Sequence, residues 1–338
     1  MDSSPPLQEW PVLLGLPVTR VEGGLINETW RVGEPGVAAV QRLSPIFEAT
    51  VHLDIEAVTA HVAGRGLLTP RLLRTTDDAL CTIEEDGTCW RALSWVSGHT
   101  HHRVTGPEMA ARAATLVARW HRVVDDLEHR FHFTRPEAHD TPLHMQFVQG
   151  ALRAHPDHRL REAVAPLADQ ILEDWECWEG DLDGALRICH GDLKISNLRF
   201  DAQGEALCLL DLDTLSLLPL DVELGDAWRS WCNLSSEDNP KGQFSTEIFA
   251  AAAGAYLAER PEAAMERGRW PLGIERICLE LAARFAADAL NESYFGWDPE
   301  KAQGRGEHNL LRARGQLGLA RAVRAQRGEL ERALDVLA

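Results

Sequence analysis

His190-Gly191-Asp192-Leu193-Lys194-Ile195-Ser196-Asn197, followed by Asp211-Leu212-Asp213-Thr214, is the most informative part of this chain. Between the two lie Leu198-Arg199-Phe200, the turn-forming Asp201-Ala202-Gln203-Gly204 and the apolar run 206–210, which predict two short strands around a tight turn. Closing that hairpin brings Asn197 and Asp211 to one end, beside Asp192. An amide oxygen and a carboxylate that converge in this way form a hard oxygen site suited to Mg2+. Asp192 is then left to accept a proton from a hydroxyl nucleophile, with the Lys194 cation two residues further on. Metal ligands, a base and a nearby cation are the parts that phosphoryl transfer needs.

Composition bounds the partners. A chain of 338 residues is long enough for a sizeable core and two lobes, and 45% hydrophobic with 25% charged residues reads as globular. No apolar run approaches the length of a membrane span, and Met1-Asp2-Ser3-Ser4-Pro5-Pro6 lacks the basic-then-apolar pattern of a leader. A cytoplasmic protein that contacts no membrane is the expectation. A net charge of −18 repels phosphate backbones and argues against nucleic acid as a partner. The seven cysteines form no CxxC pair, and most sit among apolar residues, as buried free thiols do. Cys81 and Cys89 flank a turn at Glu85-Asp86-Gly87 and are expected to face each other across a hairpin as a reduced pair. Lysine occurs only at 194, 241 and 301, so its presence inside the 190–197 motif is informative.

Along the chain, residues 18–43 read as a strand, a Gly23-Gly24 turn, a second strand and a third strand. A helix is predicted over 52–64, then strands near 80–84 and 89–96. A strand-built first part with one helix therefore ends at a linker near 94–98. From Thr105-Gly106-Pro107-Glu108, a capping box with proline in the first turn, the pattern becomes helical. Met109, Ala113, Leu116, Val117, Trp120, Val124 and Leu127 recur at helical spacing. Further helices are predicted over 143–154, 159–179, 244–259, 272–294 and 307–336, with loops at 130–142 and 233–243.

The order H-x-D-x-K-x-x-N followed by a later Asp matches the kinase catalytic loop and its metal-binding Asp. With HGD at its head, the motif resembles the aminoglycoside phosphotransferase and choline kinase superfamily. That resemblance implies an α+β, bilobal, protein-kinase-like fold: a small β-rich nucleotide-binding lobe at 1–97 and a larger, mainly helical catalytic and substrate-binding lobe at 98–338. It implies ATP and Mg2+ as cofactors and a small-molecule hydroxyl as acceptor. Asp192 is then the base, Lys194 a cation for the moving phosphoryl group, and Asn197 and Asp211 the metal ligands. Gly23 and Gly24 would admit ATP phosphates close to backbone amides, because glycine has no Cβ, with Asn27 in the strand that follows. The third strand carries Gln41-Arg42 where a lysine is expected. Arg42 is the substitute cation for the phosphates, and Glu56 is its expected partner. The adenine is expected against the linker, on backbone groups of Leu93, Ser94, Trp95 and Val96. His190 is expected to hold the loop by hydrogen bonding. Asp226, in Gly225-Asp226-Ala227-Trp228-Arg229, is expected to accept backbone hydrogen bonds from the catalytic loop. Asp213 and Arg229 are each open between a structural role and substrate contact.

Four stretches narrow the resemblance: 24–30, 40–43, 90–96 and 211–214. They resemble N-acetylhexosamine kinase relatives, which phosphorylate the anomeric hydroxyl of a free amino sugar. The late stretches 289–295 and 307–316 resemble the same group and supply Tyr294, His308, Asn309, Arg312 and Arg314 as acceptor-pocket candidates, each equally readable as helix packing. Gly191 and Leu193 depart from that group, so the sugar stays open. An aminoglycoside, amino-alcohol or homoserine acceptor is the alternative within the same chemistry, and a nucleotide-binding pseudokinase is the alternative outside it. The oligomeric state is not legible.

Overall fold

The structure, a computed structural model, describes residues 4–21, 26–135 and 137–337. The elements run β1 (Val18–Val21), β2 (Glu28–Val32), β3 (Ala38–Arg42), α1 (Val51–Gly64), β4 (Thr82–Ile83), β5 (Cys89–Ser94), α2 (Pro107–Val124), α3 (Thr141–Ala154), α4 (Arg161–Glu176), β6 (Leu186–Cys189), β7 (Leu198–Phe200), β8 (Ala206–Leu209), β9 (Ser216–Pro219), α5 (Leu220–Trp231), α6 (Thr246–Glu259), α7 (Trp270–Asn291) and α8 (Arg305–Val336). They group into two units. The first holds Met1–His101, Arg119–Thr134 and Ser196–Ser216; the second holds His102–Ala118, Arg135–Ile195 and Leu217–Ala338.

In the first unit, β1 to β5 form an antiparallel sheet in the order β1-β2-β3-β5-β4. Strand side chains alternate between faces, and that alternation sorts this sheet cleanly. Trp30, Val32, Ala38, Val40, Trp90 and Ala92 line one face and close on Trp10 and Leu13 as a buried core. Trp30 and Trp90 pack at 5.2 Å between ring centroids, and the Trp10 indole donates to the Leu73 carbonyl at 3.0 Å. The opposite face carries a polar row. Thr29 sits across from Gln41, and Gln41 across from Arg91.

The second unit is built around α7, which is buried nearly all round, as a helix in the centre of a helical layer must be. Helices α3, α4, α5 and α8 pack on it. The α5–α7 contact is close enough to need glycine on both sides: a Cβ on Gly225 would come within 2.7 Å of Gly273, and one on Gly273 within 2.2 Å of the Asp221 carbonyl.

The expected α+β class, with a small antiparallel sheet early and helices later, is what the molecule has. Boundaries moved by a few residues, and the strand expected over 80–84 shrinks to Thr82–Ile83. One helix was not expected. Leu220-Asp221-Val222-Glu223-Leu224 alternates apolar and acidic residues as a half-buried strand would, yet it forms the first turn of α5, with Asp221 and Glu223 both buried. Among the described residues, no helix is long and apolar enough to cross a membrane.

Candidate active site

In the first unit, the residues expected to hold a metal are positioned by the β7–β8 hairpin. Leu198 pairs with Leu209, and the Leu210 amide donates to the Asn197 carbonyl at 2.7 Å, which brings Asn197 and Asp211 to one end. Asn197 is buried and Asp211 exposed. Asp211 has φ +60° and ψ +62°, the left-handed region that Asp tolerates better than most residues and that recurs at functional turns. An amide oxygen and an exposed carboxylate at one hairpin end are donors that a hard divalent cation accepts.

Asp213, two residues on, is not a substrate group. Its carboxylate is 1% exposed and takes both terminal nitrogens of Arg91, one at 2.8 Å. It also accepts from the Asn27 amide at 2.6 Å. Burial alone would raise the Asp213 carboxyl, but the Arg91 guanidinium outweighs it and holds the group below its ordinary value. Arg91 is in turn oriented by its Nε donating to Gln41 at 2.8 Å, and Gln41 donates to Thr29 at 3.0 Å. The polar row across β2, β3 and β5 thus ends on the turn that follows Asp211. Sequence reasoning missed Arg91, although it lies inside a stretch already singled out.

This arrangement corrects several nucleotide-site expectations. Asn27 is buried with its amide on Asp213 and its carbonyl accepting from the Ser44 amide at 2.8 Å, so it ties β2 to the loop after β3 rather than reaching a phosphate. Alternation sends Arg42 to the face opposite Gln41, Arg91 and Asp213. It pairs there with Glu28, directly across the β2–β3 ladder, at 2.8 Å. Glu56 does not partner Arg42; it meets Arg71 and Arg74, each at 3.3 Å. In the linker, the Ser94 amide donates to the Arg71 carbonyl and the Trp95 amide to the Val37 carbonyl. The Val96 carbonyl accepts from Arg199 Nε at 3.0 Å, and Leu93 bridges to Leu72. Sheet and loop contacts therefore engage the Ser94 and Trp95 donors expected to meet adenine. Gly23 and Gly24 lie outside the described residues.

The loop that carries Asp192 belongs to the second unit. The backbone amides of His190 and Gly191 donate to the two oxygens of Glu223, at 2.7 and 2.9 Å. The Trp231 indole donates to the Leu193 carbonyl at 2.7 Å. Two residues of α5 thus clamp the loop on either side of Asp192. The His190 ring accepts from the Asp192 amide at 3.3 Å, the loop-holding part expected of it. Lys194 Nζ lies 2.7 Å from Asp192 Oδ2. Asp226 does not hold the loop, Glu223 does; the strand-like alternation around Glu223 hid it. Asp226 instead pairs with Arg229 at 3.0 Å.

Of the acceptor candidates, the structure brings two together. Arg229 and Arg312 both approach Glu237, at 3.7 and 3.6 Å, and Gln316 donates to the same carboxylate at 3.4 Å. Asp226 Oδ2, Arg229 Nε, Arg312 Nε and Gln316 Oε1 are buried with no hydrogen-bond partner. The rest go elsewhere. His308 is fully buried between Asp238 and the Asp298 amide, and Asn309 is fully buried on Asp288, so both pack α8 rather than face a ligand. Arg314 is exposed beside Pro240, Leu317 and Arg321; two positions along a helix is about 200° of rotation from Arg312, so the two cannot share a pocket. Tyr294 is exposed, and its hydroxyl accepts from Arg135 at 3.0 Å.

A family profile described as "Phosphotransferase enzyme family" matches residues 17–269. No curated protein matches the sequence. Among solved structures, an aminoglycoside phosphotransferase from Alicyclobacillus acidocaldarius is 18% identical, with 94% of each chain covered and a TM-score of 0.59. A microcompartment-associated aminopropanol kinase is 15% identical, covering 95% of this chain and 96% of its own, with a TM-score of 0.65. An amicoumacin kinase in complex with AMP-PNP, Ca2+ and Ami is 11% identical over 91% of this chain and 88% of its own, with a TM-score of 0.63. At such identities the likeness carries the fold, which is α+β and protein-kinase-like.

Proposed function

The chain belongs to the phosphotransferase enzyme family, and from that premise we propose a small-molecule kinase that moves the γ-phosphate of ATP to a sugar hydroxyl with Mg2+ present. The acceptor we favour is the anomeric hydroxyl of an N-acetylhexosamine or related hexose. The reading rests above all on the hairpin end that carries Asn197 and Asp211, one short loop downstream of Asp192. A bound divalent ion would neutralise charge on phosphate oxygens there. Asp192 would orient the acceptor hydroxyl and take its proton, a role worth roughly 10²–10⁴ in rate. Lys194, already beside Asp192, would offset charge on the phosphoryl group as it moves. Residues 1–97 would bind nucleotide and 98–338 would supply catalysis and acceptor binding. A protein confined to the cytoplasm, acting away from membranes and nucleic acid, fits this role.

The sugar is favoured by the cluster at Asp226, Arg229, Arg312 and Gln316. These residues meet through Glu237 and the Asp226–Arg229 pair, each keeps a buried donor or acceptor without a hydrogen-bond partner, and hydroxyls, which both donate and accept, satisfy such mixed sets. A second reading, an aminoglycoside or amino-alcohol acceptor, is favoured by what the solved relatives are said to act on and by the net charge of −18. The test is Mg2+-dependent ADP release across free hexoses, N-acetylhexosamines, aminoglycosides, amino-alcohols and homoserine. Turnover with an N-acetylhexosamine, and a sugar 1-phosphate by phosphorus NMR, is expected. Turnover confined to cationic acceptors would replace the sugar reading with the second. Nucleotide binding with no turnover on any acceptor would leave a pseudokinase.

A further inference from the structure

His52, Cys81 and Cys89 come together in the first unit, away from Asn197 and Asp211 in sequence and in none of the roles above. One ring nitrogen of His52 and the two sulfurs all lie within 4.8 Å of one another. Donor atoms around a tetrahedral Zn2+ stand about 3.5–3.8 Å apart, given Zn–S and Zn–N bonds of about 2.3 and 2.0 Å. Small side-chain movements would therefore close the set around an ion.

The histidine supplies the second observation. His52 Nδ1 is 2.7 Å from the Ala49 carbonyl. A carbonyl only accepts, so Nδ1 carries the proton, and the neutral ring keeps its lone pair on Nε2. That Nε2 is buried and has no hydrogen-bond partner, in a residue 1% exposed. A ring that donates through one nitrogen to a backbone carbonyl and aims the other at thiols is the usual arrangement of a metal-ligating histidine. Binding of an ion would release the thiol protons to solvent.

We propose that His52, Cys81 and Cys89 form a soft-metal site that takes Zn2+. Two thiolates and an imidazole are soft and borderline ligands that select such an ion over Mg2+ or Ca2+, and three protein ligands leave one position for water. The site joins the first turn of α1 to the start of β5, two residues before Arg91. Since α1 also packs on the 212–214 turn, an ion there would stiffen the surroundings of the Arg91–Asp213 pair.

The test is a Co2+ titration of the full-length, reduced, chelator-stripped protein, followed by displacement with Zn2+. One equivalent of Co2+ is expected, with a thiolate-to-metal charge-transfer band and the intense visible bands of four-coordinate Co2+. Zn2+ is expected to raise the melting temperature. C81S and C89S should each remove the charge-transfer band and weaken Zn2+ binding by more than the ten- to hundredfold typical of a lost outer partner. C177S, at an exposed cysteine elsewhere, should change neither. Co2+ bound without a thiolate band, or a band that survives in C81S and C89S, would overturn the site. So would loss of two thiols to a mild oxidant in a protein that binds no metal, which would make the pair a disulfide. If the serine variants fail to fold, alkylation of the parent protein read by mass spectrometry serves instead: Zn2+ should protect Cys81 and Cys89, and equal labelling with and without Zn2+ would refute the proposal.

Discussion

Arg91 and Asp213 carry opposite charges where each side chain is 1% exposed. Removing two charges from water is costly, and only their mutual geometry with Asn27 and Gln41 offsets it. Cutting one partner strands the other. Arg91→Met or Asp213→Leu alone should therefore cost about 3–5 kcal/mol in urea unfolding, whereas the double variant should recover a large part of that loss. A double variant no more stable than either single one would show that the pair is not the source of the cost. Glu223 acts differently, as a positioning residue: its two oxygens each take a loop amide. Glu223→Gln puts a donor where an acceptor is needed. We expect kcat to fall about a hundredfold, as sub-ångström misplacement can do, with nucleotide KM unchanged; a shift in KM alone would contradict this. The convergence of Asn197 and Asp211 at one hairpin end was legible because the turn between them is explicit in the sequence. Arg91 and Glu223 were not, because a partner brought in by pairing or packing leaves no spacing to read.

At the level of elements, α3 is fastened to α7 through Glu280. This fully buried carboxylate accepts from Thr141 at 2.7 Å and lies 3.1 Å from His139 Nδ1. Burial would raise Glu280, but His139, with Arg284 beyond it, brings it down to about 2. Burial would lower His139, but Glu280 raises it above its ordinary value. The signs follow from linkage. Glu280 is depressed in the folded state, so its contribution is present above the unfolded value near 4.5 and is lost as pH falls from there toward 2. His139 is raised, so its contribution is full below about 6.5 and is lost as pH rises through the folded value. Melting temperature followed from pH 7 to pH 2 should fall more steeply in the parent than in Glu280→Gln; parallel curves would contradict the assignment. Element recognition in the sequence followed the same physics. The late helices were read correctly because their apolar spacing is sustained, and the β7–β8 hairpin because its turn chemistry is explicit. Helix α5 was lost because the alternating acids in its first turn, Asp221 and Glu223, imitated a strand.

The whole molecule combines a polar row that ends on the turn after Asp211, a loop clamped by α5 around Asp192, and a strongly acidic surface. With a net charge of −18, it should give no gel shift with duplex DNA at low salt, and retention of DNA would contradict the reading of its charge. Fold class was legible because it follows from the order of strand and helix patterns. The acceptor was not: the residues proposed for it, Arg229, Arg312 and Gln316, meet through Glu237, in a segment whose sequence reads as a loop. The central proposal is transfer of phosphate to a hydroxyl whose proton goes to Asp192. Asp192→Asn keeps the side chain's size and removes its basicity. The measurement is turnover of ATP with the best acceptor, alongside nucleotide affinity by calorimetry, for parent and Asp192→Asn. The account predicts that turnover falls by roughly 10²–10⁴ while nucleotide affinity is retained. Turnover that survives the substitution would contradict it.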